Sequence, residues 1–186
     1  MLTIRTATFE DTALLAKIGA EMFAETFAGE NTPENMAAYL ADSFSLEKQT
    51  AELAEPGSVF LIAEMGGKAA GYARLIAGST EASVRATRPV ELVRIYAGSK
   101  WLGQGVGAGL MQACLTEAAR VGADVIWLGV WERNPRAIRF YQKWGFVQVG
   151  THGFQLGDEL QTDWIMARPV KDFDAQPGAN KTTDPK

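Results

Sequence analysis

The strongest constraint on this fold is a run of glycines set between a strand and a helix. Glu91 to Ala97 reads as a strand, and five loop residues then lead to Gly103-Gln104-Gly105-Val106-Gly107. Val106 to Val121 follows with the apolar spacing of a helix. Val125-Ile126-Trp127-Leu128-Gly129-Val130 is nearly all apolar, the pattern of a strand buried on both faces. Strand, helix, strand in that order predicts a parallel crossover unit. Because the glycines run directly into the helix, a diphosphate can approach bare backbone where unpaired N–H groups and the helix dipole favour an anion. Glycine spacing alone is equally compatible with a flexible turn.

The remaining segments fill in around that unit. Leu2 to Arg5 alternates as a short first strand, and Asp11 to Phe27 has helical spacing through Leu14, Leu15, Ile18, Met22 and Phe23. Thr32 caps a helix with Pro33 at its first position, running on through Met36, Tyr39 and Leu40. Another helix starts near Ser45 and stops before Pro56-Gly57. Val59 to Met65 and Ala69 to Ala77 form a hairpin across Gly66-Gly67, followed by a polar loop from Gly78 to Arg88. A helix from Pro135 ends at Gly145, and Phe146 to Phe154 pairs with Thr162 to Arg168. Residues 1–170 read as one domain. Residues 171–186, rich in Asp, Pro, Asn, Lys and Thr, read as a disordered tail.

Composition removes several classes of function. One cysteine, Cys114, leaves no intramolecular disulfide, and with a single histidine it excludes a Cys/His metal cluster. Cys114 shares a helical stripe with Val106, Leu110, Ala113 and Val121, where a buried core thiol is expected rather than a nucleophile. A net charge of −4 argues against nucleic acid and anionic membranes as partners. The chain lacks the apolar core of a signal peptide and any run long enough to span a bilayer, so a cytoplasmic location is the expectation. Gly103-Gln104-Gly105-Val106-Gly107-Ala108 satisfies the dinucleotide pattern G-x-G-x-x-A, but its strand ends too early and Asp124 precedes the next strand instead of closing it. No Lys-Ser or Lys-Thr follows the glycines, which excludes a P-loop.

A second motif sharpens the reading: Asn134-Pro135, then Phe140-Tyr141, then Gly145-Phe146. The order of strand, glycine loop, helix, strand and this second motif resembles the GNAT family of acetyl-CoA-dependent N-acetyltransferases. The likeness spans residues 2 to 170. It implies an α/β (α+β) fold whose mixed central sheet splays between strands 4 and 5, with flanking helices. Leu102-Gly103-Gln104-Gly105-Val106-Gly107 matches the family loop Gln/Arg-x-x-Gly-x-Gly/Ala except at Leu102, where a polar contact to the pyrophosphate is lost. Phe23 to Tyr39, Glu91 to Tyr96, Trp131 to Asn134 and Gly150 to Met166, most distinctively His152 to Asp163, resemble bacterial spermidine/spermine-type acetyltransferases more narrowly.

The resemblance implies roles that the residues alone leave open. Pantetheine would pair with the backbone of Ile95, Tyr96 and Ala97, and residues 102–107 would hold the pyrophosphate. Asn134 is a helix cap by its own chemistry, and the family adds a cofactor contact. Tyr141 by itself is an aromatic core residue; in the family it protonates the departing CoA sulfur. Glu91 is either a surface glutamate at a strand end or the general base that an alkyl ammonium, with a pKa of about 10.4, requires. Glu132, closing strand 5, can bind an ammonium or share the base role. Glu21, Glu25, Asp158 and Asp163 are looser candidates for amine recognition against a solvated surface role, and His152 reads as structural or pocket-lining. Backbone N–H groups of strand 4 would stabilise the developing oxyanion. The acceptor implied is a polyamine or other small amine. The alternatives are a protein or peptide amino terminus, or a regulatory module that binds acyl-CoA without catalysis. No metal is implied, and a homodimer is left open.

Overall fold

The computed structural model describes residues 1–156 and 159–170. Seven strands form one sheet in the order β1-β2-β3-β4-β5-β7-β6. They are β1 (Leu2–Thr6), β2 (Ser58–Met65), β3 (Lys68–Ala77), β4 (Pro89–Ala97), β5 (Val125–Trp131), β6 (Val147–Leu156) and β7 (Glu159–Pro169). The helices are α1 (Thr12–Phe27), α2 (Pro33–Ser43), α3 (Leu46–Ala54), α4 (Val106–Arg120) and α5 (Pro135–Lys143). The sequence-based elements are all present, with the last two strands longer than expected. The expected tail, residues 171–186, and Asp158 lie outside the described residues.

Every strand pair is antiparallel except β4 and β5, joined by the crossover through α4. Helix α4 lies on one face of the sheet. Its Leu110, Met111, Cys114 and Leu115 are fully buried against β2, β3 and β4. Burying an apolar side chain of this size contributes about 1.5–3 kcal/mol, which fixes the helix and hence its N-terminus. Gly71 on β3 lets that end approach closely, since a Cβ there would stand 2.9 Å from Val106 Cγ1 and 3.0 Å from Leu110 Cδ1. The opposite face is covered by α1 and α3, through Leu15, Ile18 and Met22 on Phe60, Ile62 and Tyr72. Phe23, Met36 and Phe44 fasten the start of α2 beside them.

Two irregularities shape the middle of the sheet. Parallel pairing of β4 with β5 stops after Pro89↔Val125, Val90↔Ile126 and Glu91↔Trp127. Beyond Glu91 the two strands part, leaving the β5-facing edge of β4 without a strand partner. In the same strand the β3 register jumps from Arg74↔Arg94 to Leu75↔Leu92, so Val93 is an extra, bulged residue. The bulge resets the alternation: Val90 and Leu92 face α4, and after it Ile95 and Ala97 do so, while Tyr96 turns to the α1 side.

Candidate active site

The gap between β4 and β5 opens into a cleft of about 810 Å³ that passes through the sheet, within the size range of small-molecule sites. One wall is β4 from Glu91 to Ala97; the other is Gly129 to Trp131 on β5 with α5 beyond it. The glycine loop and the first turn of α4 close one end, and Phe23, Tyr39 and Phe154 stand at the other.

At the α4 end, Gly103 and Gly105 have φ of +77° and +85°, and a Cβ on either would meet nothing within 4 Å. The left-handed backbone favours glycine, and the open space means the loop presents bare peptide to the cleft. Gly105 caps α4 without a side-chain hydrogen bond, and the first turn closes with Gly109 N–H donating to the Gly105 carbonyl at 2.8 Å. The N–H groups of the residues between therefore precede the helix's own bonding and form an anion-binding end. Leu102, 41% exposed, lines the same end. Arg133 and Arg136 line it from the far wall, supplying cations where Leu102 supplies none. Gln104 is the exception in this loop: it does not line the cleft, and its Nε2 donates to the Lys100 carbonyl at 2.8 Å.

The two candidates for proton transfer lie on opposite faces of the sheet and meet at the gap. Tyr141 is held in the α4-side core by Ile138 and Cys114 and contributes to the cleft wall. Burial pushes its phenol well above the ordinary tyrosine value, so it stays protonated. Glu91 is the last β4 residue paired with β5, and it faces the other side, where Ser79 Oγ donates to its Oε2 at 2.6 Å. Asn134 caps α5 as expected, its Oδ1 accepting from Ala137 N–H at 3.1 Å, and it also lines the cleft.

The acidic candidates separate. Asp163 and His152 are partners across β6 and β7, and both line the cleft. Burial raises the Asp163 carboxyl, the facing His152 lowers it, and Glu132 raises it again. Glu25 also lines the cleft, but its Oε2 accepts from Ser99 N–H at 2.9 Å and ties α1 to the loop ahead of the glycines. Glu132 departs from expectation: β5 ends at Trp131, and Glu132 is an exposed turn residue outside the cleft wall. Glu21 borders a smaller hollow elsewhere on α1.

Sequence reasoning missed Glu52 and Arg94. Glu52 on α3 bridges Arg74 Nη1 at 3.0 Å and Arg94 Nη1 at 2.6 Å, with Glu52 and Arg74 buried and Arg94 nearly so. Arg94 lies next to the bulge, stacks over Phe44 at 5.0 Å and lines the cleft. The signal was available: Arg74 and Arg94 are charges in the middle of largely apolar strands, and such charges need partners.

The comparisons agree with this architecture. The model of the acetyltransferase (GNAT) family matches residues 20–146. An uncharacterized N-acetyltransferase of Lactobacillus delbrueckii subsp. lactis is 34% identical over 153 residues, 82% of this chain and 88% of the relative. An uncharacterized N-acetyltransferase of Mycobacterium tuberculosis is 35% identical over 156 residues, 84% of this chain and 96% of the relative. Among solved structures, the PaiA N-acetyltransferase of Thermoplasma acidophilum in complex with coenzyme A superposes with a TM-score of 0.73 at 22% identity, covering 91% of this chain and 99% of that one. At that identity the likeness speaks for the fold.

Proposed function

The chain belongs to the GNAT family of acetyltransferases and is an acetyl-CoA-dependent N-acetyltransferase, and we propose that its acceptor is a polyamine or another small primary amine. Residues 1–170 form the catalytic domain in this reading, acting in the cytoplasm. The observation that carries it is the placement of Glu91 and Tyr141 on opposite faces of one gap, so that two substrates can meet from two sides.

Acetyl-CoA fits the α4 end by the chemistry of that end. Bare backbone at Gly103, Gly105 and Gly107, with the unpaired first turn of α4, would hold the pyrophosphate. Ile95 to Ala97 offer strand edge for the pantetheine amides, and the amide NH2 of Asn134 would donate to the same cofactor. Acetyl-CoA supplies an activated acyl group; the chain's own residues manage protons and charge.

The acceptor enters from the Glu91 side. Glu91 takes a proton from the ammonium, directly or through one water, freeing the nitrogen lone pair. That nitrogen bonds to the thioester carbonyl carbon, and the carbon–sulfur bond breaks. Charge gathering on the carbonyl oxygen faces backbone N–H groups of β4, which the bulge at Val93 and the absence of a β5 partner leave unpaired. Tyr141, kept neutral by burial, gives its proton to the leaving thiolate. The acylated nitrogen sheds its second proton, which restores the Tyr141 phenol, so the products are the amide, free CoA and the one proton held on Glu91 and then released to solvent.

The test is free-thiol release from acetyl-CoA across polyamines, small monoamines and peptide amino termini. Saturable release with small amines is the expected result. Release only with peptides would overturn the small-amine acceptor, and release with none while acetyl-CoA binds would favour a non-catalytic binding module.

A further inference from the structure

On the acceptor side of the gap, β5 carries a glycine where its neighbours are large. Leu128 and Val130 are buried, yet Gly129 is exposed between Trp127 and Trp131 on the same face. Its backbone needs no glycine, since its φ is not positive. Space is what it provides. A Cβ at Gly129 would stand 3.3 Å from Asp163 Oδ2 and 3.4 Å from His152 Nε2, close enough to crowd both.

That space is taken by Asp163 and His152, whose side chains rest over the bare backbone of Gly129 in the wall of the cleft. Its Oδ1 is buried with no hydrogen-bond partner among the described residues, and Oδ2 is 3.9 Å from His152 Nε2. The other imidazole nitrogen, Nδ1, faces Glu81 Oε2 at 3.5 Å, so a second carboxylate competes for the same ring. A carboxylate in this setting lacks a full complement of donors, and a cationic nitrogen would complete it. Gly129, with Asp163 over it, lies two residues along β5 from Trp127, the partner of Glu91, or roughly 7 Å. Trp131, paired with Asp163 across β5 and β7 and tilted against Phe27 with ring centroids 6.1 Å apart, adds an aromatic surface suited to an alkyl chain or a cation.

We infer that Asp163, over the floor of Gly129, is the specificity-determining residue that receives a second cationic nitrogen of the acceptor while the first is acetylated beside Glu91. The acceptor class is then a diamine or longer polyamine with a short alkyl spacer. This inference rests on the small-amine reading above and goes beyond it by naming the subsite.

The experiment compares kcat/KM for 1,4-diaminobutane and butylamine, two primary amines of matched length, in the full chain and in Asp163→Asn, Asp163→Glu and Gly129→Ala. CoA affinity, measured by calorimetry, reports folding of each variant. The parent protein should favour the diamine by roughly tenfold or more, the scale of one charge-assisted hydrogen bond. Asp163→Asn should erase that ratio mainly through KM, Asp163→Glu should restore part of it, and Gly129→Ala should shrink it. Equal kcat/KM for the two amines, a ratio unchanged in Asp163→Asn, or faster turnover of a peptide amino terminus would overturn the inference. If neither amine is acetylated, the catalytic reading fails first. Calorimetry of 1,4-diaminobutane on CoA-saturated protein then decides the subsite: Asp163-dependent binding supports it, and absence of binding overturns it.

Discussion

Ser79 Oγ donates to Glu91 Oε2 at 2.6 Å, while the Ser79 carbonyl accepts from Trp127 Nε1 at 3.0 Å. One residue of the polar loop thus links the last β4 side chain before the gap to the β5 residue paired with it. With Glu91 as the proposed base, Ser79 would act through it as a positioning residue. Ser79→Ala should lower kcat roughly fivefold, the factor that about 1 kcal/mol of lost orientation supplies, and leave KM for acetyl-CoA unmoved. Steady-state kinetics with both substrates varied checks the split; a rise in KM for acetyl-CoA with kcat intact would mean a general loosening of the loop.

Tyr141→Phe removes one hydroxyl from a well-packed aromatic position. The ring keeps its contacts with Phe140 and Phe146 at 5.5 and 5.9 Å, so the fold should persist. As the acid for the leaving thiolate, Tyr141 should be worth roughly 100-fold in kcat. Thiol-release kinetics alongside CoA calorimetry should show the fall in turnover with little change in affinity. Full activity in Tyr141→Phe would assign the proton to another group.

Much of this arrangement was legible before any coordinates. The glycine run, the apolar β5 and the Asn134-Pro135 start of α5 each follow from local rules of spacing, burial and capping, and they placed the gap correctly. What local rules missed depends on register. Glu132 and Trp131 are adjacent in sequence, yet the strand ends between them and only the tryptophan reaches the cleft. The bulge at Val93, the seating of Asp163 over Gly129 and the partnership of Glu52 with two arginines arise from pairing between distant segments, which no periodicity encodes.

That arginine pair makes a strong stability prediction. Glu52→Gln leaves Arg74 and Arg94 beside each other with Glu55 as their one ion-pair partner among the described residues, bonded to Arg74 from a more exposed position. Removing one member of a buried ion pair costs roughly 3–5 kcal/mol. Denaturant unfolding should report a loss near the lower figure, since the Glu55 bond to Arg74 remains. A change below about 0.5 kcal/mol, the scale of an ordinary surface substitution, would show that the network contributes little.

Acid stability should carry the mark of Asp11. Arg5 donates to both of its oxygens at 2.8 and 2.7 Å, and Thr8 N–H adds a third bond at 2.9 Å. The Arg5 bonds, opposed by burial and aided by Thr8, hold the carboxyl down at about 2. The folded value lies below the ordinary value of about 3.9, so the unfolded chain takes up the proton first on acidification. The contribution is complete above about pH 4 and lost as pH falls through about 2. Because Arg5 is 42% exposed, screening reduces it to about 1 kcal/mol. Unfolding midpoints between pH 7 and 2 should fall less steeply in Asp11→Asn; equal slopes would remove Asp11 from the acid limb.

In the proposed reaction acetyl transfer takes place in the gap, with Glu91 deprotonating the incoming amine. It is tested most directly by kcat for Glu91→Gln with a small primary amine and saturating acetyl-CoA, alongside CoA affinity. A fall of roughly 100-fold or more is expected, with affinity for CoA preserved. Undiminished turnover in Glu91→Gln would contradict it.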